Sequence, residues 1–134
     1  MAKTTTPTSK ARPDLRAYEQ SIRLDTPSVV HELMSLISPK LVAYIAGVGE
    51  TRAVKEWASG DRAPRGEVES RLRTALRIAA FIAQHDGNGV VQAWFQGLNP
   101  QLNDVSPARV LRTEPPEEAG AAVLAAARAF VVGG

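Results

Sequence analysis

Residues 38–64, SPKLVAYIAGVGETRAVKEWASGDRAP, decide how the rest of the chain is read. Apolar residues recur there at helical spacing, first Val42 and Ile45, then Val54 and Trp57, with glycines between the two runs. The spacing predicts two short helices joined by a tight turn, in which Gly47 and Gly49 take positions where a Cβ is unwelcome. Gly60 marks the end of the second helix, and Pro64 starts a third. This is the outline of a helix-turn-helix. Val54 and Trp57 pin the second helix onto the first, while Thr51, Arg52 and Lys55 face outward, with Arg62 in the loop that follows. Such a helix can enter a DNA major groove and contact it through these four residues; the same three-helix unit also serves as plain scaffold.

The composition agrees with helices. Of 134 residues, 44% are hydrophobic but only 5% aromatic, and alanine is abundant, which favours closely packed helices over a sheet. No stretch alternates as a strand would, so an all-α protein is expected. The absence of cysteine rules out disulfides and thiolate zinc sites and fits a cytoplasmic protein. The N-terminal MAKTTTPTSKARPD lacks the apolar core of a signal peptide, and no apolar run approaches the roughly 20 residues of a membrane span.

Net charge is only +2, but it is unevenly spread. Residues 40–77 hold eight Lys/Arg against five acids, whereas residues 78–134 hold three against five. The basic excess therefore lies around the helix-turn-helix and in the N-terminal arm.

From the N-terminus, residues 1–13 form a polar arm with too few apolar residues to order itself, and residues 14–23 carry Leu15, Tyr18 and Ile22 at helical intervals. Thr26 as N-cap and Pro27 at the first helical position start a helix with Val30, Leu33, Met34 and Ile37 on its inner face. After Pro64, Val68, Leu72, Ala75, Leu76, Ala79 and Ile82 mark the inner face of the longest helix. Its other face, Arg65, Glu69, Arg73 and Arg77, reads as solvated and laced by i,i+4 ion pairs. A turn over residues 85–89 leads to a helix over 89–96 that buries Val90 and Trp94 along with Val91 or Phe95. Ser106-Pro107 caps a short helix with Val110 and Leu111. The last helix starts at Pro115-Pro116, with Glu117 and Glu118 complementing its dipole and Ala119, Val123, Ala126, Ala127 and Phe130 inward. The boundaries expected are an arm over 1–25, a helix-turn-helix domain over 26–84 and a second helical domain over 85–134.

Catalytic constellations are missing from the sequence. His31 and His85 lie far apart and outside any metal-binding spacing, and there is neither a nucleophile elbow nor a phosphate loop. Glu117 and Glu118 are adjacent on a helix, so they point about 100° apart and make no acid–base pair. The expectation is a non-enzyme with no cofactor and no metal.

Two blocks carry a family resemblance. They are IAGVGETRAVKEWASGDRAPRGEVESRLRTALRIAAFI (45–82) and VVQAWFQGLNPQLNDVSPARVLRTEPPEEAGAAVLAAARAFV (90–131). In this order they resemble the Xre/MbcA/ParS-type antitoxins, with Trp94, Asn99-Pro100, Leu102, Pro107 and Leu111 standing at that family's second-domain positions. The resemblance implies an Xre-like helix-turn-helix bundle followed by a small helical toxin-binding domain, and an oligomeric protein. It further implies a partner, a RES-domain toxin that consumes NAD, whose NAD pocket the C-terminal end covers. Carried over by position, the occluding residues are Arg128, Phe130, Val131, Val132, Gly133 and Gly134, the glycine pair supplying flexibility. Repression of its own operon is the accompanying expectation. Glu50 and Glu56 stand among the cations of the second helix, however, and carboxylates facing phosphate oppose DNA binding. The alternative is a stand-alone DNA-binding regulator with a helical dimerisation domain.

Overall fold

Asp25 starts the first helix, because its carboxylate accepts the Ser28 N–H at 3.0 Å and satisfies one of the free donors of α1, Thr26–Ile37. The computed structural model describes Leu15 and residues 24–133; apart from Leu15, Leu24 and Asp25, the arm expected over 1–25, with the 14–23 helix inside it, lies outside the described residues. Thr26, expected as the cap, is already helical, since the charged acceptor one residue earlier takes that role. Its hydroxyl is used elsewhere, as described below.

Ser38 closes α1 and opens α2, Pro39–Ala46. Its N–H donates to the Met34 carbonyl, its Oγ accepts the Leu41 N–H, and its backbone is held at φ +91°, a value rare for a residue with a side chain. The two helices turn by 118° there, so that Val29, Val30, Leu33 and Ile37 meet Leu41, Val42 and Ile45 in one core. Gly47 ends α2 with φ +85°, in the left-handed region that favours glycine. The matching expectation for Gly49 is corrected: it has no positive φ and open space surrounds it. Helix α3, Thr51–Ser59, then buries Val54 and Trp57 as expected.

Helix α4, Gly66–Asp86, is the longest element. Pro64 does not start it: the ring is buried two residues earlier, and the extended Arg65 stands at the cap. The expected inner stripe is present, with Val68 half-buried, but Ile78, Ala80 and Phe81 are buried too, so that Ile78 to Ile82 is covered on all sides. Helices α1 and α2 flank it on one part, and α7, introduced below, runs along another.

On the charged side of α4 the expected i,i+4 pair Glu69–Arg73 is present and Arg65 is exposed, but the side is also a fastening and not only a solvated face. Arg73 donates to the Leu24 carbonyl at 2.8 Å, to Thr26 Oγ1 at 3.3 Å and to Glu69 at 3.1 Å, while the Thr26 hydroxyl donates to Glu69 at 2.6 Å. That hydroxyl first, and Arg73 after it, hold the Glu69 carboxyl below its usual range. Arg71 donates to the Ile45 and Ala46 carbonyls, both at 3.2 Å, and so satisfies the end of α2. The carbonyls at the end of α2 and the one just before α1 need partners, and α4 supplies them.

Gly87, at φ +86°, closes α4 and leads through a 3₁₀ turn, Asn88–Val90, into α5, Val91–Gln96. Because the regular helix begins only at Val91, its inward face is rotated from the expected one. Val91 and Phe95 are buried, Trp94 is half-buried, and Val90 is exposed. A second 3₁₀ turn, Pro100–Leu102, is organised by Asn99, whose buried side chain accepts the Gln101 N–H at 2.9 Å. Helix α6, Pro107–Thr113, is capped by Ser106, and α7, Pro116–Gly133, begins with Glu117 and Glu118. Among the described residues there is no strand beyond one isolated bridge, Asn99 to Val105, and the fold is all-α.

Gly120 sets how closely α7 approaches α4, since a Cβ there would lie 3.0 Å from Thr74 Cγ2. Replacing glycine by alanine in a helix stabilises by about 1 kcal/mol when nothing is in the way. Gly120→Ala is therefore expected to give no gain in the parent protein but to recover most of that gain in a Thr74→Ser background, measured by urea unfolding. Equal effects in the two backgrounds would show that the contact does not limit the packing.

Candidate functional site

The 3.6-residue period of α3 puts Val54 and Trp57 inside and so turns Arg52 and Lys55 to solvent. These two, with Thr51, line an open groove of about 1000 Å³ whose other walls are Lys40 and Tyr44 of α2 and Arg112 of α6. The structure thus brings together three of the four residues expected at a nucleic-acid face. Arg62, the fourth, is not part of the groove lining.

Arg52 and Arg62 are both engaged by Glu56. Arg52 Nε lies 3.2 Å from one carboxylate oxygen and Arg62 Nη1 3.0 Å from the other. Hydrogen bonds from Arg62, and then from Arg52, hold the Glu56 carboxyl below its ordinary value. Lys40, Lys55 and Arg112 have no carboxylate partner among the described residues. Glu50 and Asp61 also line the groove, and Asp61 accepts a hydrogen bond from Ser59 Oγ at 3.0 Å.

Arg112 is the residue that sequence reasoning missed. It crosses from α6 to donate to the Tyr44 carbonyl at 2.8 Å, and its guanidinium stands 4.6 Å from the centre of the Tyr44 ring. Sixty-eight positions separate the two residues, and no local pattern announces such a contact.

At the C-terminal end, the six expected residues divide. Phe130 and Val131 are half-buried against the core, Phe130 with its ring 6.2 Å from that of Trp94. Arg128 and Val132, one helical turn apart, are exposed, and Val132 is 88% accessible. Gly133 is the last residue of α7, and Gly134 lies outside the described residues. Leu98, 76% accessible beyond α5, is an exposed apolar residue that no periodicity marked. A second cleft, of about 570 Å³, opens between the 100–102 turn, α6 and α7, beside Asn103 with its positive φ of 58°.

His31 and His85 are both exposed, His85 edge-on to Phe81. Among the described residues no three His, Cys, Asp or Glu side chains are grouped to hold a metal ion, and no single helix is long and apolar enough to cross a membrane. Comparison of the chain with protein-family models, with curated proteins and with solved structures returned no match.

Because the Glu56 carboxyl is held low, its two ion pairs are complete above the ordinary value of 4.5 and are lost as pH falls through the lower folded midpoint. An NMR pH titration of the Glu56 side chain is expected to show a midpoint below 4.5 that returns toward it more in Arg62→Ala than in Arg52→Ala. A midpoint unmoved by both replacements would mean that the pairs do not persist in solution.

Proposed function

We propose that the chain is a non-enzymatic antitoxin. It binds a RES-type toxin and covers that toxin's NAD pocket with the outward face of the last turn of α7. The observation that carries this reading is the end of α7 itself. Ala119, Val123, Ala126 and Ala127 anchor the helix on the core, and Val132 stands exposed on its last turn. An exposed valine costs little alone, but a pre-ordered apolar helix end loses little conformational freedom when a partner covers it. The two sequence blocks that resemble antitoxins of this kind support the same reading, as does the absence of a catalytic pattern in the sequence. The protein acts in the cytoplasm, as a homo-oligomer, and needs no cofactor.

A second role is favoured by the groove. Helix α2, the Gly47 turn and α3 form an Xre-like helix-turn-helix that contacts operator DNA, and the antitoxin represses its own operon through it. Cations without carboxylate partners in the groove, Lys55 among them, support this role. The unit could equally act as a regulator without a toxin partner. Co-purification with the product of a neighbouring RES-like gene separates the two.

Since Phe130 packs on Trp94, the occlusion test has to leave it in place. A chain ending at Val131, and a full-length Arg128→Glu/Val132→Asp variant, are expected to fold with parental helicity yet weaken the toxin complex by roughly tenfold or more. Cells co-expressing either variant with the toxin should lose NAD, whereas the parent protein protects it. Full protection by both folded variants would refute occlusion by this face.

A further inference from the structure

Two kinds of cation stand in the groove beside α3 and at its edge, and the difference assigns their roles. Arg52 and Arg62 share Glu56, each bonded to a different oxygen. A carboxylate held between two guanidinium groups no longer repels a phosphate, but its charge offsets part of theirs, so their pull on a phosphate is weakened. Lys40, Lys55 and Arg112 carry no such debt. Arg112 uses one of its five N–H donors on the Tyr44 carbonyl, and the Tyr44 ring beneath the guanidinium fixes the plane of the remaining donors beside the groove. These three cations come from three different helices, α2, α3 and α6, and are spread along one open groove of about 1000 Å³. A duplex presents about one phosphate charge per 1.7 Å of its axis, so it is met by a row of separated cations and not by a single pocket.

Resting on the operator-binding reading, we propose that Lys40, Lys55 and Arg112 are the phosphate-contacting cations of this groove. The second half of the chain thereby contributes, through Arg112, to the nucleic-acid face. Arg52 and Arg62 neutralise Glu56 and make no phosphate contact of their own. Tyr44 positions Arg112.

The test is the salt dependence of binding to a fluorescein-labelled DNA duplex of about 30 base pairs containing the region upstream of the reading frame, followed by anisotropy with each variant checked for folding by circular dichroism. Lys40→Gln, Lys55→Gln and Arg112→Gln are each expected to lower the slope of log K against log salt by about one and to weaken binding about five- to tenfold near 0.1 M salt. Arg112→Lys should retain the parental slope. Arg65→Gln, an exposed cation outside the groove, should change neither quantity by as much. The triple variant Arg52→Gln/Glu56→Gln/Arg62→Gln should keep the parental slope.

A slope lowered by about two in that triple variant would make Arg52 and Arg62 phosphate contacts and overturn the assignment. So would Arg112→Gln and Lys40→Gln variants that behave like Arg65→Gln; if Lys55→Gln alone weakened binding, operator binding would stand and the assignment would fall. Absence of duplex binding by the parent protein at about 50 mM salt, or its selective binding of an acidic protein in place of the duplex, would overturn both.

Discussion

From Ile78 to Ile82, helix α4 is an unbroken run of buried apolar residues, and the rest of the fold follows from the need to cover it. Burying a large aliphatic or aromatic side chain stabilises by roughly 1.5–3 kcal/mol, and Leu72, Leu76, Ile78, Phe81 and Ile82 are all buried on this one helix. A single neighbouring helix covers only one stripe, so several must surround it. Helices α1 and α2, turned against each other at Ser38, take part of the surface, and α7 takes another, brought close by Gly120. Apolar residues before and after Gly87 therefore belong to one cluster.

The same helix also orders its neighbours through its polar half. Arg71 receives the last carbonyls of α2, and Arg73 with Glu69 grips the entry to α1. With α1 held at its start and α2 at its end, α3 is pinned by Val54 and Trp57 and presents its outer side to the groove. Arg112 then closes that groove from the far half of the chain. The groove and the exposed end of α7 are thus two surfaces on one support.

Much of this was legible in the sequence, because start and stop signals are local. Ser38-Pro39, Ser106-Pro107 and the acids after Pro116 each open a helix where expected, and Gly47 and Gly60 end the two helices before the long one. The inner faces of α1, α3 and α4 followed from period alone. What failed depended on geometry beyond one helix. A 3₁₀ turn before α5 rotated its face, so that Val91 and Phe95, not Val90 and Trp94, are buried. The charges of α4 looked solvated because their partners, Leu24, Ile45 and Ala46, are backbone carbonyls 25 to 49 positions away. In the candidate site, Thr51, Arg52 and Lys55 were visible as the outward side of α3, but the pairing of Arg52 and Arg62 with Glu56 needed the loop conformation, and Arg112 needed the tertiary fold. Phe130 was legible as a core residue and as a docking residue; its contact with Trp94 favours the first.

One core shared by both halves is the claim on which the two surfaces depend, and the two tryptophans report on it directly. Trp57 lies on α3 and Trp94 on α5, one before and one after the long helix α4 in the chain. Urea unfolding of Trp94→Phe and Trp57→Phe, each followed by the fluorescence of the remaining tryptophan and by far-ultraviolet circular dichroism, is the measurement that decides. The account predicts coincident fluorescence and dichroism transitions in each variant, as for a single cooperative unit. A Trp94 signal lost at lower urea than the helices carrying Trp57 would show that the second half folds on its own, and would contradict it.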